Sequence, residues 1–151
     1  NISKNKFEEY KSEFKNFYDE ANSKLQQFNL NDWKVTFDYA KRRAGACIYS
    51  KKELSFSIYF LRNSSSFDLN DTLLHEISHA LVGPNQGHNN IWKKKALSIG
   101  CTGKVYHSLN FSNPGWIKYC SNFCWEQKTH RRKLNLICRK CGASVCYKRN
   151  I

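Results

Sequence analysis

Two histidines and a glutamate within five residues give the clearest chemical signal in this chain. His75, Glu76 and His79 form the pattern H-E-x-x-H. On a helix, residues four apart lie on one face, so both imidazoles can reach one zinc ion while Glu76 lies beside the position of a bound water. The pattern is typical of zinc hydrolases, usually peptidases. A chance match in an ordinary amphipathic helix is the competing interpretation.

A catalytic zinc needs a third protein ligand. After Glu76 the chain contains one carboxylate and no aspartate, which disfavours peptidases that use a distant acidic ligand. The remaining candidates are three histidines: His88, His107 and His130. His88 is favoured because Gly83, Pro84 and Gly87 allow the chain to reverse toward the metal helix.

Four cysteines near the C-terminus form a second group of metal-binding residue types. They are Cys120, Cys124, Cys138 and Cys141. Two close pairs separated by 13 residues predict a structural zinc site of ribbon type. The first pair encloses three residues where two are usual, so Cys146 or His130 is an alternative ligand. Buried free thiols are the competing interpretation.

Hydrophobic periodicity predicts the elements that must position these groups. Apolar residues at three- and four-residue steps over 7–28 predict one amphipathic helix of about six turns. Alternating residues predict strands over 33–39 and 54–60, with a short strand over 44–50 between them. The strand that starts near Glu53 is a candidate to pair with an extended substrate, with simple coverage of the core as an equal alternative.

The H-E-x-x-H residues fall in a predicted helix. It covers residues 71–82, begins at Asn70 or Asp71 and ends at Gly83. A further helix is predicted over residues 89–99. The fold class is therefore α+β, with an N-terminal helix, a small antiparallel sheet and the metal helix.

The charge and composition divide the chain near its last quarter. Residues 116–151 contain nine basic side chains and one acidic side chain, a net charge of +8 out of +13. Turn-forming residues precede this segment, and we predict one domain over 1–112 and a basic zinc ribbon over 113–151. With 40% hydrophobic residues, the chain can bury one substantial core.

The basic segment also contains interleaved aromatic residues. This pattern favours phosphate contacts and base stacking on single-stranded or distorted DNA over sequence-specific readout. A solvated charged face around a small zinc-held fold is the competing interpretation. The candidate nucleic-acid contacts are Lys128, Arg131, Arg132, Lys133, Arg139, Lys140 and Trp125.

The cellular setting is indicated by what the sequence contains and lacks. There is no apolar run long enough to span a membrane and no secretory signal. Cys47, Cys101 and Cys146 are scattered, which favours a reducing compartment over a disulfide scaffold. We expect an intracellular monomer, in the nucleus or in the nucleoid or cytoplasm, with no membrane partner.

A longer pattern surrounds the metal-binding motif. It reads His75-Glu76-x-x-His79-x-x-x-Gly83-x-x-x-Gly87-His88-x-x-x-Trp92. This pattern resembles the signature of SprT-like metallopeptidases, the family that includes the Spartan DNA–protein crosslink proteases. The resemblance implies a zincin-like core in which the three histidines bind a catalytic zinc and Glu76 is the catalytic residue, followed by a ribbon with a structural zinc. It also implies DNA as the activator.

Two functions are compatible with these features. The first is a zinc endopeptidase that is activated by DNA and cleaves proteins bound or crosslinked to DNA. The second is a non-catalytic nucleic-acid-binding adaptor that uses the metallopeptidase fold as a scaffold. The intact Glu76 favours the first, since a scaffold needs no general base. Tyr106 and His107 are candidates for the oxyanion-stabilising group, each with a structural alternative.

Overall fold

The computed structural model describes residues 2–105 and 114–150. The chain divides into two compact units, Asn1–Ser112 and Asn113–Ile151. The described residues of the first form five helices and a three-stranded sheet, and those of the second form another three-stranded sheet. The expected α+β class is confirmed. None of the helices in the described ranges has the length and apolar character needed to cross a membrane.

The N-terminal segment forms two helices, where periodicity predicts one. Helix α1 covers Lys4–Glu13 and helix α2 covers Lys15–Gln27, with a break at Phe14 (φ −107°, ψ 36°). The rings of Phe7 and Tyr18 have centroids 6.1 Å apart. In a straight helix their Cα atoms would be about 16 Å apart, too far for this contact. The break lets aromatic residues of both helices pack on one strand.

The sheet of the first unit is mixed, so the expected antiparallel arrangement is wrong for one of its pairs. Its strands are β1 (Lys34–Asp38), β2 (Gly45–Ile48) and β3 (Glu53–Ser57), in the order β1-β3-β2. Strands β2 and β3 are antiparallel, while β1 and β3 are parallel. Alternation identifies the buried face of a strand and not its neighbour or direction, which is why the sequence did not reveal this order.

Strand β3 is also shorter and more central than the sequence predicts. It is paired on both sides, so it cannot add a substrate strand, and the substrate-pairing expectation for it is wrong. The chain turns at Ser57, whose Oγ accepts a hydrogen bond from the N–H of Phe60 (3.4 Å). This cap starts helix α3 (Ile58–Asn63), in which the last apolar residues of the predicted strand are buried.

The H-E-x-x-H motif lies in helix α4 (Ser66–Val82), which begins earlier than predicted. Its cap is Ser65, whose Oγ accepts from the N–H of Asp68 (3.2 Å), and not Asn70 or Asp71. Helix α4 ends at Gly83 as expected. Helix α5 follows over Asn90–Ser98, close to the predicted helix.

Helix α4 is held between two apolar clusters. Leu73 and Ile77 are buried in the main core together with Phe56, while Leu74 and Trp92 belong to a smaller core against α5. Burying one such side chain stabilises a fold by about 1.5–3 kcal/mol. These contacts on two sides fix the rotation of α4 and therefore the direction of its polar residues.

The second unit is built on an antiparallel sheet. Its strands are β4 (Trp116–Cys120), β5 (Glu126–Thr129) and β6 (Val145–Arg149), in the order β5-β4-β6. A single bridge between Ile137 and Ser144 lies outside these strands. The sheet brings the two halves of the predicted cysteine site to the same region.

Candidate active site

Three histidine side chains converge beside α4. His75 and His79 are one turn apart on this helix, and His88 follows the turn after it. The Nε2 atom of His88 is 3.1 Å from the Nε2 atom of His79 and 3.1 Å from that of His75. The structure therefore brings together the three histidines that the sequence selected as metal ligands.

The arrangement of these nitrogens fits a tetrahedral metal. Two nitrogens bound to zinc at about 2.0–2.1 Å with tetrahedral geometry are about 3.3 Å apart. The observed separations of 3.1 Å are close to this value. The Nδ1 atom of His75 faces the main-chain oxygen of Lys104 at 3.2 Å, so its proton resides on Nδ1 and its Nε2 lone pair points to the shared centre. The group suits zinc.

The turn that returns His88 to the helix depends on glycine. Gly83 (φ +90°) and Gly87 (φ +52°) both have positive φ, a region that disfavours other residues. The hydroxyl of Tyr49 lies 2.9 Å from the main-chain oxygen of His79 and 3.2 Å from that of Gly83. Tyr49 thus fixes the start of this turn, a role that no local pattern in the sequence indicated.

Trp92 supports all three histidine rings. Its ring centroid lies 4.6 Å from that of His75, 5.2 Å from that of His79 and 4.7 Å from that of His88. The indole N–H donates to the main-chain oxygen of His75 (3.4 Å), and the side chain is fully buried. A rigid aromatic wall behind the rings restricts their rotation, which explains why the tryptophan accompanies the histidines.

Burial adjusts the protonation of two motif residues. It raises the pKa of Glu76 to about 8, against the opposing effect of the positive charge of Arg43. It also lowers the pKa of His79 to about 4, with a further contribution from His88. His79 is therefore neutral near pH 7, the form that binds a metal, and Glu76 exchanges its proton in the neutral range.

Glu76 and the three histidines line a cleft of about 340 Å³. Its other walls come from the loop before β2, the first residue of β2, one further residue of α4 and one residue that follows α5. They are Arg42, Arg43, Ala44, Gly45, Thr72 and Val105. Arg43 is held by Asp38 (Nη2 to Oδ2, 2.9 Å). The two arginines were not singled out as site residues, because only the fold brings their loop to the histidines.

Strand β2 offers an unpaired edge close to this cleft. In the described part of the chain it pairs only with β3, on one side. Gly45, its first residue, lies so close to α4 that an added Cβ would be 3.1 Å from Cγ of Glu76. Beside this cleft, the strand with an edge that can pair with an extended chain is therefore β2 and not β3.

The second unit brings together the four predicted cysteines. The sulfur atoms of Cys120, Cys124, Cys138 and Cys141 lie within 4.8 Å of one another. Neither Cys146 nor His130 belongs to this group. Four converging sulfurs form a donor set that suits zinc.

Main-chain amides point at these sulfurs. The N–H of Asn122 donates to Sγ of Cys120 (3.3 Å), and that of Lys140 donates to Sγ of Cys138 (3.4 Å). Burial opposes ionisation of Cys138, yet the N–H groups of Cys141 and Lys140 lower the pKa of its thiol to about 6. These amides therefore favour the thiolate form of Cys138, the form that a metal requires.

The predicted nucleic-acid contacts fall into separate places on the second unit. Trp125, Arg139 and Lys140 line one groove of about 420 Å³ together with Lys118. Arg132 instead stacks on Trp116, at 4.2 Å from the ring centroid. Three further cations, Lys128, Arg131 and Lys133, are exposed. The groove combines an aromatic ring with positive charge, and Nζ of Lys118 lies 6.0 Å from the centroid of the Trp125 ring. Trp116 is covered more closely, by Arg132 and Arg149.

Two candidates for stabilising an oxyanion, Tyr106 and His107, lie outside the described residues. The loop before them contributes the carbonyl of Lys104 to His75, a contact that sequence reasoning missed. A main-chain acceptor leaves no signature in residue type, so no sequence pattern reveals it.

Comparisons with known proteins give a single result. No curated protein and no solved structure matches the chain significantly. The model of the SprT-like family matches residues 9–112. This range covers more than half of the chain and contains Glu76 and the three histidines, while the cysteine group lies beyond it. The chain belongs to the SprT-like family.

Proposed function

We propose that this chain is a zinc-dependent endopeptidase, activated by DNA, that cleaves proteins bound or crosslinked to DNA. The observation that carries the peptidase part is the convergence of three histidine Nε2 atoms in a cleft that also contains Glu76. Membership of the SprT-like family supports the same chemistry. The DNA part rests on the charge of the second unit.

His75, His79 and His88 would hold the catalytic zinc. When bound, zinc supplies Lewis-acid polarisation of the scissile carbonyl and of the attacking water. Glu76 accepts a proton from that water and transfers it to the leaving amine. Burial raises the pKa of this carboxyl group above its ordinary value, which makes Glu76 a stronger proton acceptor. The free edge of β2 would align an extended substrate through main-chain hydrogen bonds, with little demand on its sequence.

A scaffold function explains Glu76 less well. The side chain is only 5% exposed, and the influences on its ionisation are burial and the charge of Arg43. Burying a carboxyl group costs free energy, and a non-catalytic adaptor would gain no function from that burial. A general base gains a pKa in the neutral range from the same burial. The position of Glu76 therefore favours the enzyme over the non-catalytic adaptor.

The second unit would bind DNA through its exposed cations and one aromatic groove. Lys118, Arg139 and Lys140 surround Trp125, which can stack on an unpaired base. The remaining cations would contact phosphates without reading sequence. This combination suits single-stranded or distorted DNA and would bring the cleft to proteins on the same DNA.

The peptidase proposal is tested with Glu76→Gln. A basic DNA-binding protein is incubated with single-stranded DNA and either wild type or the variant, and cleavage is followed on gels. We expect a loss of about 10²–10⁴-fold, the usual contribution of a general base. Glu8→Gln, at an exposed glutamate of α1, is the matched control and keeps full activity. Equal cleavage by wild type and Glu76→Gln would exclude this mechanism.

The DNA proposal is tested with the double variant Arg139→Gln and Lys140→Gln. Cleavage of the DNA-bound protein should decrease and the salt dependence of DNA binding should become weaker, since two positive charges of the groove are lost. Cleavage of a short DNA-free peptide should be unchanged. Activity that is indifferent to DNA and salt in the wild type would leave the peptidase but remove DNA as its activator.

A further inference from the structure

A buried aspartate on the metal helix has no role in the proposed chemistry. Asp71 lies one turn before His75 on α4 and is 5% exposed. Residues four apart on a helix share a face, so its carboxylate lies on the same side as the first histidine. A buried carboxylate must be compensated by hydrogen bonds or charge, and its partners therefore indicate its role.

Both carboxylate oxygens of Asp71 bind the same residue of the loop after α5. Oδ1 accepts the main-chain N–H of Thr102 (2.7 Å), and Oδ2 accepts its hydroxyl (2.8 Å). The main-chain oxygen of Asp71 also accepts a weaker bond from Sγ of Cys101 (3.6 Å). Hydrogen bonds to an ionised carboxylate are about twice as strong as neutral ones, so this pair anchors the loop firmly to α4.

The anchored loop reaches His75. The N–H of Lys104 donates to Oγ1 of Thr102 (3.4 Å), and the main-chain oxygen of Lys104 lies 3.2 Å from Nδ1 of His75. An unbroken path therefore leads from Asp71 through Thr102 and Lys104 to the imidazole. A carbonyl can only accept, so its placement requires a proton on Nδ1 and leaves Nε2 as the ligand atom.

We propose that Asp71 is a positioning residue for the metal site: by holding the Thr102–Lys104 loop, it fixes the ring orientation and the tautomer of His75. The inference rests on the proposed metal-binding role of the three histidines. It adds a group that touches neither metal nor substrate, and that acts through a main-chain carbonyl. Partners of this outer kind usually change metal affinity by about 10–100-fold when lost.

The test compares Asp71→Asn with wild type in the full chain. Zinc affinity of the histidine site is measured by competition with a chelator of known affinity, and the imidazole ¹⁵N shifts of His75 report its tautomer in the metal-free protein. We expect about 10–100-fold weaker zinc binding and a loss of the Nδ1-protonated form. The four-cysteine site should keep its affinity.

Ser78→Ala is the matched control. Ser78 is also buried on α4, and its hydroxyl donates to the main-chain oxygen of Leu74 (2.7 Å), with no link to the loop. It should leave both the zinc affinity and the His75 shifts unchanged. Thr102→Val is a second variant: it removes the bond from the hydroxyl to Asp71 and the bond from the N–H of Lys104 to that hydroxyl, and it keeps the main-chain bond of Thr102 to Asp71. It should shift both readouts in the direction of Asp71→Asn.

The outcomes separate this inference from the proposed function. If wild type binds zinc through the histidines and Asp71→Asn and Thr102→Val bind it equally well, with unchanged ¹⁵N shifts, Asp71 has no positioning role and the metal site stands. If Ser78→Ala weakens zinc binding as much as Asp71→Asn, the effect is general helix damage and the inference is overturned. If wild type binds no zinc at the histidines, both proposals fail.

Discussion

The two units obtain their structure from different sources. In the first, large apolar side chains are buried throughout, among them Leu54, Phe56, Phe60 and Ile77. In the described part of the second, the buried residues are Pro114, Cys120 and Cys138. The first unit therefore has an apolar core of its own, while the described buried residues of the second include two cysteines of the candidate metal site and no large apolar side chain.

This difference explains how each metal site is built. In the first unit the histidines are positioned by a packed helix, a glycine turn and Trp92, so the fold itself places their rings. A unit as small as the second buries too little apolar surface to fold alone, and a metal held by the four cysteines would supply the missing stability. We infer that the fold of the first unit creates the histidine site, whereas metal binding at the cysteine site creates the fold of the second unit.

Metal removal should produce the largest difference between the units. Binding of a structural zinc contributes about 10–16 kcal/mol in comparable small motifs. With a strong chelator, amide hydrogen exchange should become fast in β4, β5 and β6, while the sheet and α4 of the first unit remain protected. Cys138→Ser should reproduce the effect in the second unit alone.

Retained protection in the second unit after chelation would contradict this comparison. It would show that the sheet around Cys120 and Cys138 is stable without ligation. Loss of protection in the first unit would show instead that the histidine site also depends on its metal for folding. Zinc analysis before chelation should give two ions per chain.

A smaller effect is expected from a single methyl group. A Cβ at Gly45 would lie 3.1 Å from Cγ of Glu76 and 3.1 Å from Cδ1 of Phe56, so Gly45→Ala should destabilise the first unit by about 1–3 kcal/mol. It should also displace Glu76 and lower kcat. Gly115→Ala in the second unit, where no atom lies within 4 Å of an added Cβ, should be neutral.

Urea unfolding and kcat/KM of the two glycine variants provide the measurement. Similar stability for both would mean that β2 and α4 can separate without loss. A stability loss in Gly45→Ala with unchanged kcat would show that the contact supports the fold but does not position Glu76.

The smallest effect concerns surface ion pairs. Arg62 donates two hydrogen bonds to Glu13 (2.7 and 2.8 Å), which lower the pKa of that carboxyl group below its usual 4.5. Both side chains are 41% exposed, so the pair contributes only about 0.2–1 kcal/mol. Because the folded-state pKa is lowered, this stability is present above the unfolded-state pKa and is lost as the pH falls through the folded-state value.

Glu13→Gln should therefore lower the urea midpoint of the first unit at pH 7, and the difference from wild type should disappear at a pH below the folded-state pKa of Glu13, where the carboxyl group is protonated in both states. Glu126→Gln in the second unit removes a longer contact with Lys148 (3.7 Å) and should change nothing measurable. An equal effect at both pH values would assign the role of Glu13 to packing.

Local chemistry determined much of the candidate site. The residues His75, Glu76 and His79 share a helix face by spacing alone, and Gly83 and Gly87 supply the turn that His88 needs. Sequence also placed the four cysteines in two pairs suited to a metal. These features depend on neighbours in the chain, and the structure brings each group together.

The sequence by itself determined which residues could bind metal, where the chain changes from apolar to basic, and its membership of the SprT-like family. Only the tertiary structure decided that β1 and β3 are parallel, that β2 is an edge strand of the described sheet, and that Asp71 and Lys104 support His75. The physical reason is the range of the interactions. Helix faces, caps and turns follow from residues within about four positions, whereas strand order and main-chain contacts depend on distant segments whose carbonyls and amides are the same in every residue.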